Sequence, residues 1–228
     1  MFHFEEGEVF LIDKPLDWTS FDAVNLIRSV IKRYHGIRKL KVGHAGTLDP
    51  LATGLLIVCT GRMTKQIDSF QAQEKIYTGT LLLGQTTPTF DMESEADASY
   101  PTDGITIEMM EDARKSFIGD IMQKPPKFSA IKINGKRAFD YARSDEEIAL
   151  KERLIHIDDF KLDYTNFPKV KFEVKCSKGT YIRSLVNDFG KKLNNGACLI
   201  SLRRTMIGNF SVNDARKLED LKKEIIES

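Results

Sequence analysis

The sequence predicts an α+β fold built on a largely antiparallel sheet. Segments of strand character adjoin one another in the chain, and helical segments do not alternate with them in the regular way that a doubly wound parallel sheet requires. The 228 residues, 41% hydrophobic and 29% charged, have the ordinary composition of a chain able to bury a sizeable core. Repeats, low-complexity tracts and linkers are absent from the sequence, so residues 1–228 are expected to form a single domain.

The elements follow in order. Residues Glu8 to Asp13 read as a strand ended by Lys14-Pro15. Thr19 or Ser20 can cap a helix whose apolar positions Phe21, Val24, Ile27, Val30 and Ile31 recur at helical spacing. Leu55 to Cys59 is an apolar run short enough for a buried strand, and Ile76 to Leu83 is another, ended by Gly84. The acidic stretch 91–104 reads as an exposed loop, and Thr106 to Phe117 as a helix with Met109, Met110 and Ala113 inward. Asn134-Gly135 is a hairpin signal. Val170, Phe172, Val174 and Cys176 alternate with charged residues as in a half-buried strand. Tyr181 to Leu193 is expected to be helical, Ala197 to Phe210 to form two short strands joined around Arg203-Arg204, and Asn213 or Asp214 to cap a terminal helix carrying Ala215, Leu218, Leu221 and Ile225 on one face.

Charge and cysteine usage narrow the function classes. The net charge is only +1, but Arg28, Lys32, Arg33, Arg38, Lys39 and Lys41 fall in a segment with no acid, whereas residues 91–112 hold eight acids and no Lys or Arg. A neutral sum therefore hides a basic patch able to hold phosphates, although a solvated helix end would look the same. The three cysteines are widely spaced with no C-x-x-C pair, which suggests neither a zinc site nor a disulfide framework, and their apolar settings suggest reduced core residues. No apolar run approaches the roughly 20 residues of a membrane span, and the acidic N-terminus does not resemble a signal peptide, so a cytoplasmic protein without membrane contact is expected.

The stretch from Lys41 to Lys65 carries the chemistry. It places Gly43, Gly46, Gly54 and Gly61 around a lone Asp49-Pro50 directly before a buried strand. Glycines permit tight turns and close approach of a substrate, and Pro50 restricts Asp49 to an extended conformation. Asp49 is thus a candidate for a positioned nucleophile, with a turn cap as the plain alternative. A P-loop string and a dinucleotide fingerprint are both missing, and no spacing pairs Asp13 or Asp17 with Asp49 as two glycosidase acids. Neither a cofactor nor a metal is expected.

Taken with other motifs, GHAGTLDPLATGLLIVCTGRMTK resembles the signature of the TruB family of tRNA pseudouridine synthases. Asp13-Lys14-Pro15 with Thr19-Ser20, Lys75-Ile76-Tyr77, the Pro125-to-Gly135 segment with Tyr141-Ala142-Arg143, the string Cys176 to Arg183, and Leu202-Arg203-Arg204 match further family motifs in order, over about residues 8 to 221. The resemblance implies a pseudouridine synthase fold with a thumb-like RNA-binding insertion at about 124–143. It implies isomerisation of the uridine at position 55, in the T loop of tRNA, without a guide RNA; a monomer is the default expectation. The chain stops soon after the L-R-R string, so the C-terminal RNA-binding (PUA) domain of many relatives is not expected here.

The resemblance also assigns roles. Asp49 is the catalytic carboxylate; whether it attacks base or sugar, or deprotonates the sugar, is open. Arg183 pairs with it, Tyr77 stacks on the target uracil and serves in proton transfer, and Leu202 walls the uracil pocket. His44 contacts the T loop and helps hold the flipped-out arrangement that the target nucleotide must adopt to be reached. Lys14 and Lys65, with the basic segment, take phosphates, and Tyr181, Lys132 and Arg143 belong to motifs on the RNA-binding side. Two other readings are a catalytically silent RNA-binding protein or folding chaperone, and a guide-dependent relative inside a ribonucleoprotein.

Overall fold

The computed structural model describes residues 1–129, 132–133, 136–137, 141 and 150–228. Its strands are β1 (Val9–Lys14), β2 (Val42–His44), β3 (Ala52–Thr60), β4 (Lys75–Leu83), β5 (Gln85–Thr86), β6 (Ala98–Ser99), β7 (Gly119–Gln123), β8 (Lys132–Ile133), β9 (Lys136–Arg137), β10 (Arg153–Asn166), β11 (Lys169–Cys176), β12 (Ala197–Ile207), β13 (Phe210–Ser211) and β14 (Arg216–Lys217). The helices are α1 (Ser20–His35), α2 (Ile67–Ala72), α3 (Ile107–Lys115), α4 (Ile182–Lys192) and α5 (Leu218–Glu227). The chain forms two compact units, one of residues 1–78 with 202–228 and the other of residues 79–201, and β4 and β12 each carry residues of both.

In the first unit β3 is the central strand. It pairs antiparallel with β1 (Phe10 opposite Val58) and with β2 (His44 opposite Val58), and parallel with β12 (Leu202 opposite Ala52), while β14 adds parallel to β1. Its apolar run is continuous because both faces are covered. Leu56 and Val58 meet α1 and α5 through Ile27, Ile31, Leu221 and Ile225, whereas Leu55, Ile57 and Cys59 meet Ile67, Phe70 and Ile207 on the opposite side. Thr19 caps α1 in a capping box with Asp22, and Gly36 ends it in the left-handed region at φ 71°. In the second unit β10 lies between β11 and β7, antiparallel to both. The α+β expectation of a mixed, mainly antiparallel sheet flanked by helices holds.

Several local expectations need correction. Phe21 is 58% exposed, because it lies on the side of α1 that carries Asn25 and Arg28, and Ser20 and Ala23 fill the inward stripe instead. Met110 is buried but Met109 is exposed, one helical step off the packed face of α3. Residues 197–207 form one strand instead of two, since Arg203 and Arg204 stay in the ladder and the turn falls at Gly208. Ser211 caps a short 3₁₀ turn over Val212–Asp214, and the terminal helix begins only at Leu218, which leaves Ala215 outside it. Within the acidic stretch Asp91 is buried. The cysteines are free and buried, as their settings suggest. β8 pairs with β9, while the Asn134-Gly135 signal itself lies outside the described residues.

Candidate active site

In the first unit, Asp49 sits on the short connection between β2 and β3, and its backbone is pinned at almost every step. The Ala45 N–H donates to the Ile57 carbonyl at 2.9 Å, and the Ala52 N–H to the Asp49 carbonyl at 3.0 Å, so few residues leave the ladder. Gly46 adopts φ 99°, a conformation that favours glycine. From α1 the buried Ser20 hydroxyl accepts the Leu48 N–H at 2.8 Å and donates to the Leu48 carbonyl at 3.2 Å. The Pro50 carbonyl accepts the Asp17 N–H at 2.9 Å. A half-exposed carboxylate on a loop held this firmly is preorganised, the property that catalytic positioning needs.

Lys14 has a different place from the one expected of a phosphate ligand. Its side chain is 0% exposed, and its ammonium donates to the carbonyls of Pro15 at 2.9 Å, Trp18 at 2.6 Å and Pro50 at 3.5 Å. It faces the interior below the Asp49 loop, where the carbonyls rather than a phosphate receive its hydrogen bonds. Burial lowers its pKa from 10.5 to about 8; the Arg204 charge acts in the same direction and the Asp49 charge opposes both. Between those two values the unfolded chain keeps a proton that the folded chain has lost, so this group makes stability rise with pH across the window, and below about 8 its burial penalty is felt in full. We therefore expect the melting temperature of wild type to gain on that of Lys14→Met as pH is raised from 8 to 10.5, in paired thermal melts. A constant difference would show that Lys14 does not titrate there.

His44, the last residue of β2, is half-buried with its pKa lowered by burial and then by the Arg204 charge, against the Gly46 backbone. Both effects favour the neutral imidazole. Leu202 lies on β12 opposite Ala52, three residues beyond Asp49, and is half-buried. Tyr77 is buried on β4. Lys65 is exposed on the 3₁₀ turn Gly61–Gln66. Arg28 turns inward to the Val42 carbonyl at 3.0 Å, while Lys32, Arg33 and Arg38 line an open cavity of about 380 Å³ with Ser29 and Gly36.

In the second unit, Arg183 occupies the first turn of α4 and is only 5% exposed. A cation at a helix N-terminus opposes the dipole. Here it is compensated: the guanidinium donates to the carbonyls of Thr89 at 3.1 Å and Phe128 at 2.9 Å, and its Nε lies 3.5 Å from the Asp91 carboxylate. Asp91 was hidden to sequence reasoning inside the acidic stretch; its only signal was the alternation Thr87-x-Thr89-x-Asp91, whose two hydroxyls both donate to the Asp91 carbonyl. Tyr181, just before α4, exchanges two hydrogen bonds with the buried Gln123 side chain and lies under the Arg153 guanidinium at 5.0 Å. Lys132 falls in β8, where only the backbone is described, and Arg143 lies outside the described residues, as does much of the 124–143 segment. Among the described residues no three His, Cys, Asp or Glu side chains gather as a metal site.

The model of the TruB family pseudouridylate synthase N-terminal domain matches residues 32–182, and that of the tRNA pseudouridylate synthase B C-terminal domain matches residues 183–228. The chain is 54% identical to the tRNA pseudouridine synthase B of Phocaeicola vulgatus, covering 95% of this chain and 92% of the relative. It is 50% identical to that of Flavobacterium johnsoniae, covering 92% of each. Among solved structures it is similar to a chain in a Cbf5-Nop10-Gar1 complex, at 26% identity and a TM-score of 0.71, over 97% of this chain but only 55% of the other. It thus spans about half the length of that solved chain.

Proposed function

This chain belongs to the TruB family of pseudouridylate synthases, and from that premise we propose that it isomerises the T-loop uridine at position 55 of bare tRNA, with Asp49 as its catalytic carboxylate. The fold is that of the pseudouridine synthases. The observation that carries the proposal is the pinning of the Asp49 loop by Ser20 and Lys14. Such fixation has no evident use for an ordinary turn cap and every use for a reacting carboxylate.

In this reading residues 1–228 act as one catalytic domain. The bond from N1 to the sugar carbon breaks, the uracil turns, and C5 bonds to the same carbon; C5 gives up its proton and N1 takes one. Asp49 acts at the base or the sugar, Tyr77 stacks on the uracil, and Leu202 walls the pocket. Arg183 keeps the carboxylate ionised and oriented. His44 meets the T loop of the tRNA and helps hold the flipped-out nucleotide. Tyr181, Lys65, Lys132 and Arg143, with the segment 124–143, hold RNA, and the interior Lys14 holds the loop. Release of tritium from tRNA transcript labelled at C5 of uridine tests the reading, because C5 loses its hydrogen only when it forms the new bond to the sugar. Activity of the pure protein on bare tRNA separates it from guide dependence, and binding without release would move the assignment to a silent RNA-binding protein.

The cations Lys32, Arg33 and Arg38 at the end of α1 are expected to meet phosphates. Joint replacement by alanine should weaken tRNA binding and reduce the slope of log K against log salt by about 2 to 3, as the loss of three phosphate contacts requires. An unchanged slope in filter binding would return these residues to the solvated face of a helix end.

A further inference from the structure

We infer that Arg204 is a positioning residue for the reaction: its guanidinium ties the strand that follows the Asp49 loop to the segment that precedes it, and so fixes where the carboxylate stands. The inference rests on reading Asp49 as the catalytic group.

Arg204 is 1% exposed, in the middle of β12. A sheet interior ordinarily takes a β-branched or aromatic side chain, and a buried cation is strongly unfavourable unless its donors are satisfied. Among the described residues the partners of this guanidinium are two backbone carbonyls and no carboxylate. Nε donates to Leu55 at 2.8 Å, on β3 after the loop, and Nη2 donates to Gly46 at 3.1 Å, before Asp49. The two bonds therefore close the mouth of the loop from below. Lys14 reaches Pro50 on the outgoing limb and Ser20 holds Leu48 between them.

The backbone is shaped to admit this arrangement. Arg204 lies opposite Gly54 in the parallel ladder, and a Cβ on Gly54 would stand 2.3 Å from the Arg204 carbonyl oxygen, so only glycine lets the strands approach. At Gly46 a Cβ would come to 3.6 Å from the Arg204 guanidinium, and the φ of 99° that sets this segment over the arginine favours glycine. The charge is also felt locally, since it lowers the pKa of both His44 and Lys14. A lysine at this position would carry all its donors on one terminal nitrogen instead of the spaced Nε and Nη2 that reach Leu55 and Gly46, and a methionine would carry none.

The test compares wild type, Arg204→Lys, Arg204→Met and Leu221→Ala. The last removes a buried core side chain of α5 and serves as a destabilised control. Tritium release at saturating tRNA gives kcat, filter binding gives tRNA affinity, and thermal melting and near-ultraviolet circular dichroism report folding. Arg204→Lys should lose about 10-fold in kcat and Arg204→Met about 100-fold, the scale of a misplaced reacting group, with tRNA affinity within about 2-fold. Leu221→Ala should melt earlier yet keep kcat within about 2-fold well below its melting temperature. The inference is overturned if the folded arginine variants turn over at the wild-type rate, or lose affinity in proportion to kcat. It is equally overturned if neither variant folds, which would make Arg204 a residue of the fold alone. Failure of the underlying reading looks different: wild type would release no tritium, or Asp49→Asn would release it.

Discussion

Asp49→Asn is expected to cut tritium release from C5-labelled tRNA below about a thousandth of the wild-type rate while leaving tRNA binding nearly unchanged. The substitution keeps the shape of the side chain and removes only its charge and basicity. The loop has main-chain anchors besides that charge: Ser20, Lys14 and Arg204 hold it through carbonyls and an N–H of Leu48, and the Asp49 main chain is tied to Ala52. Any rate loss therefore reads on the carboxylate and not on a collapsed loop. Comparable turnover in the variant would sink the assignment of the nucleophile. A loss of binding equal to the loss of rate would make Asp49 a substrate contact instead.

Arg183→Lys should show the second large effect, about 100-fold in kcat, although the charge is retained. The guanidinium reaches Thr89, Phe128 and Asp91 at once from a buried position, a fan of donors that one ammonium cannot reproduce. At least one buried carbonyl would lose its partner, which should also cost about 1–3 kcal/mol of stability. Single-turnover tritium release and a urea titration measure the two effects separately. A near-normal rate with reduced stability would mean that only the positive charge matters to the reaction.

Local signals were legible wherever one physical preference dominated. The α1 cap, the buried run of β3 and the alternation in β11 follow directly from side-chain chemistry. The misreadings at Arg203-Arg204 and Asp91 have a common cause: long-range contacts decided them. Arg203 and Arg204 look like a break between two strands because charged pairs seldom sit inside a sheet. Yet Arg203 forms a two-pronged pair with Asp13 at 2.9 and 2.7 Å, and Arg204 is met by carbonyls of residues some 150 positions away in the chain. Asp91 was invisible for the same reason, one acid among many until Arg183 selects it. Lys14 was read by its charge, although its surroundings make it an interior group. Asp49 itself could be singled out because glycines and a proline crowd around it within a few residues.

The buried free cysteines give the molecule built-in clocks. A thiol reacts as its thiolate, and burial pushes Cys59 up to about 11 and raises Cys198, helped there by the Asp91 charge. Modification by a disulfide reagent must therefore wait for the surrounding strand to open. Cys59 lies in the first compact unit, and Cys176 and Cys198 lie in the second. Labelling followed by peptide mass spectrometry thus times the opening of each half independently, with no label to be engineered in.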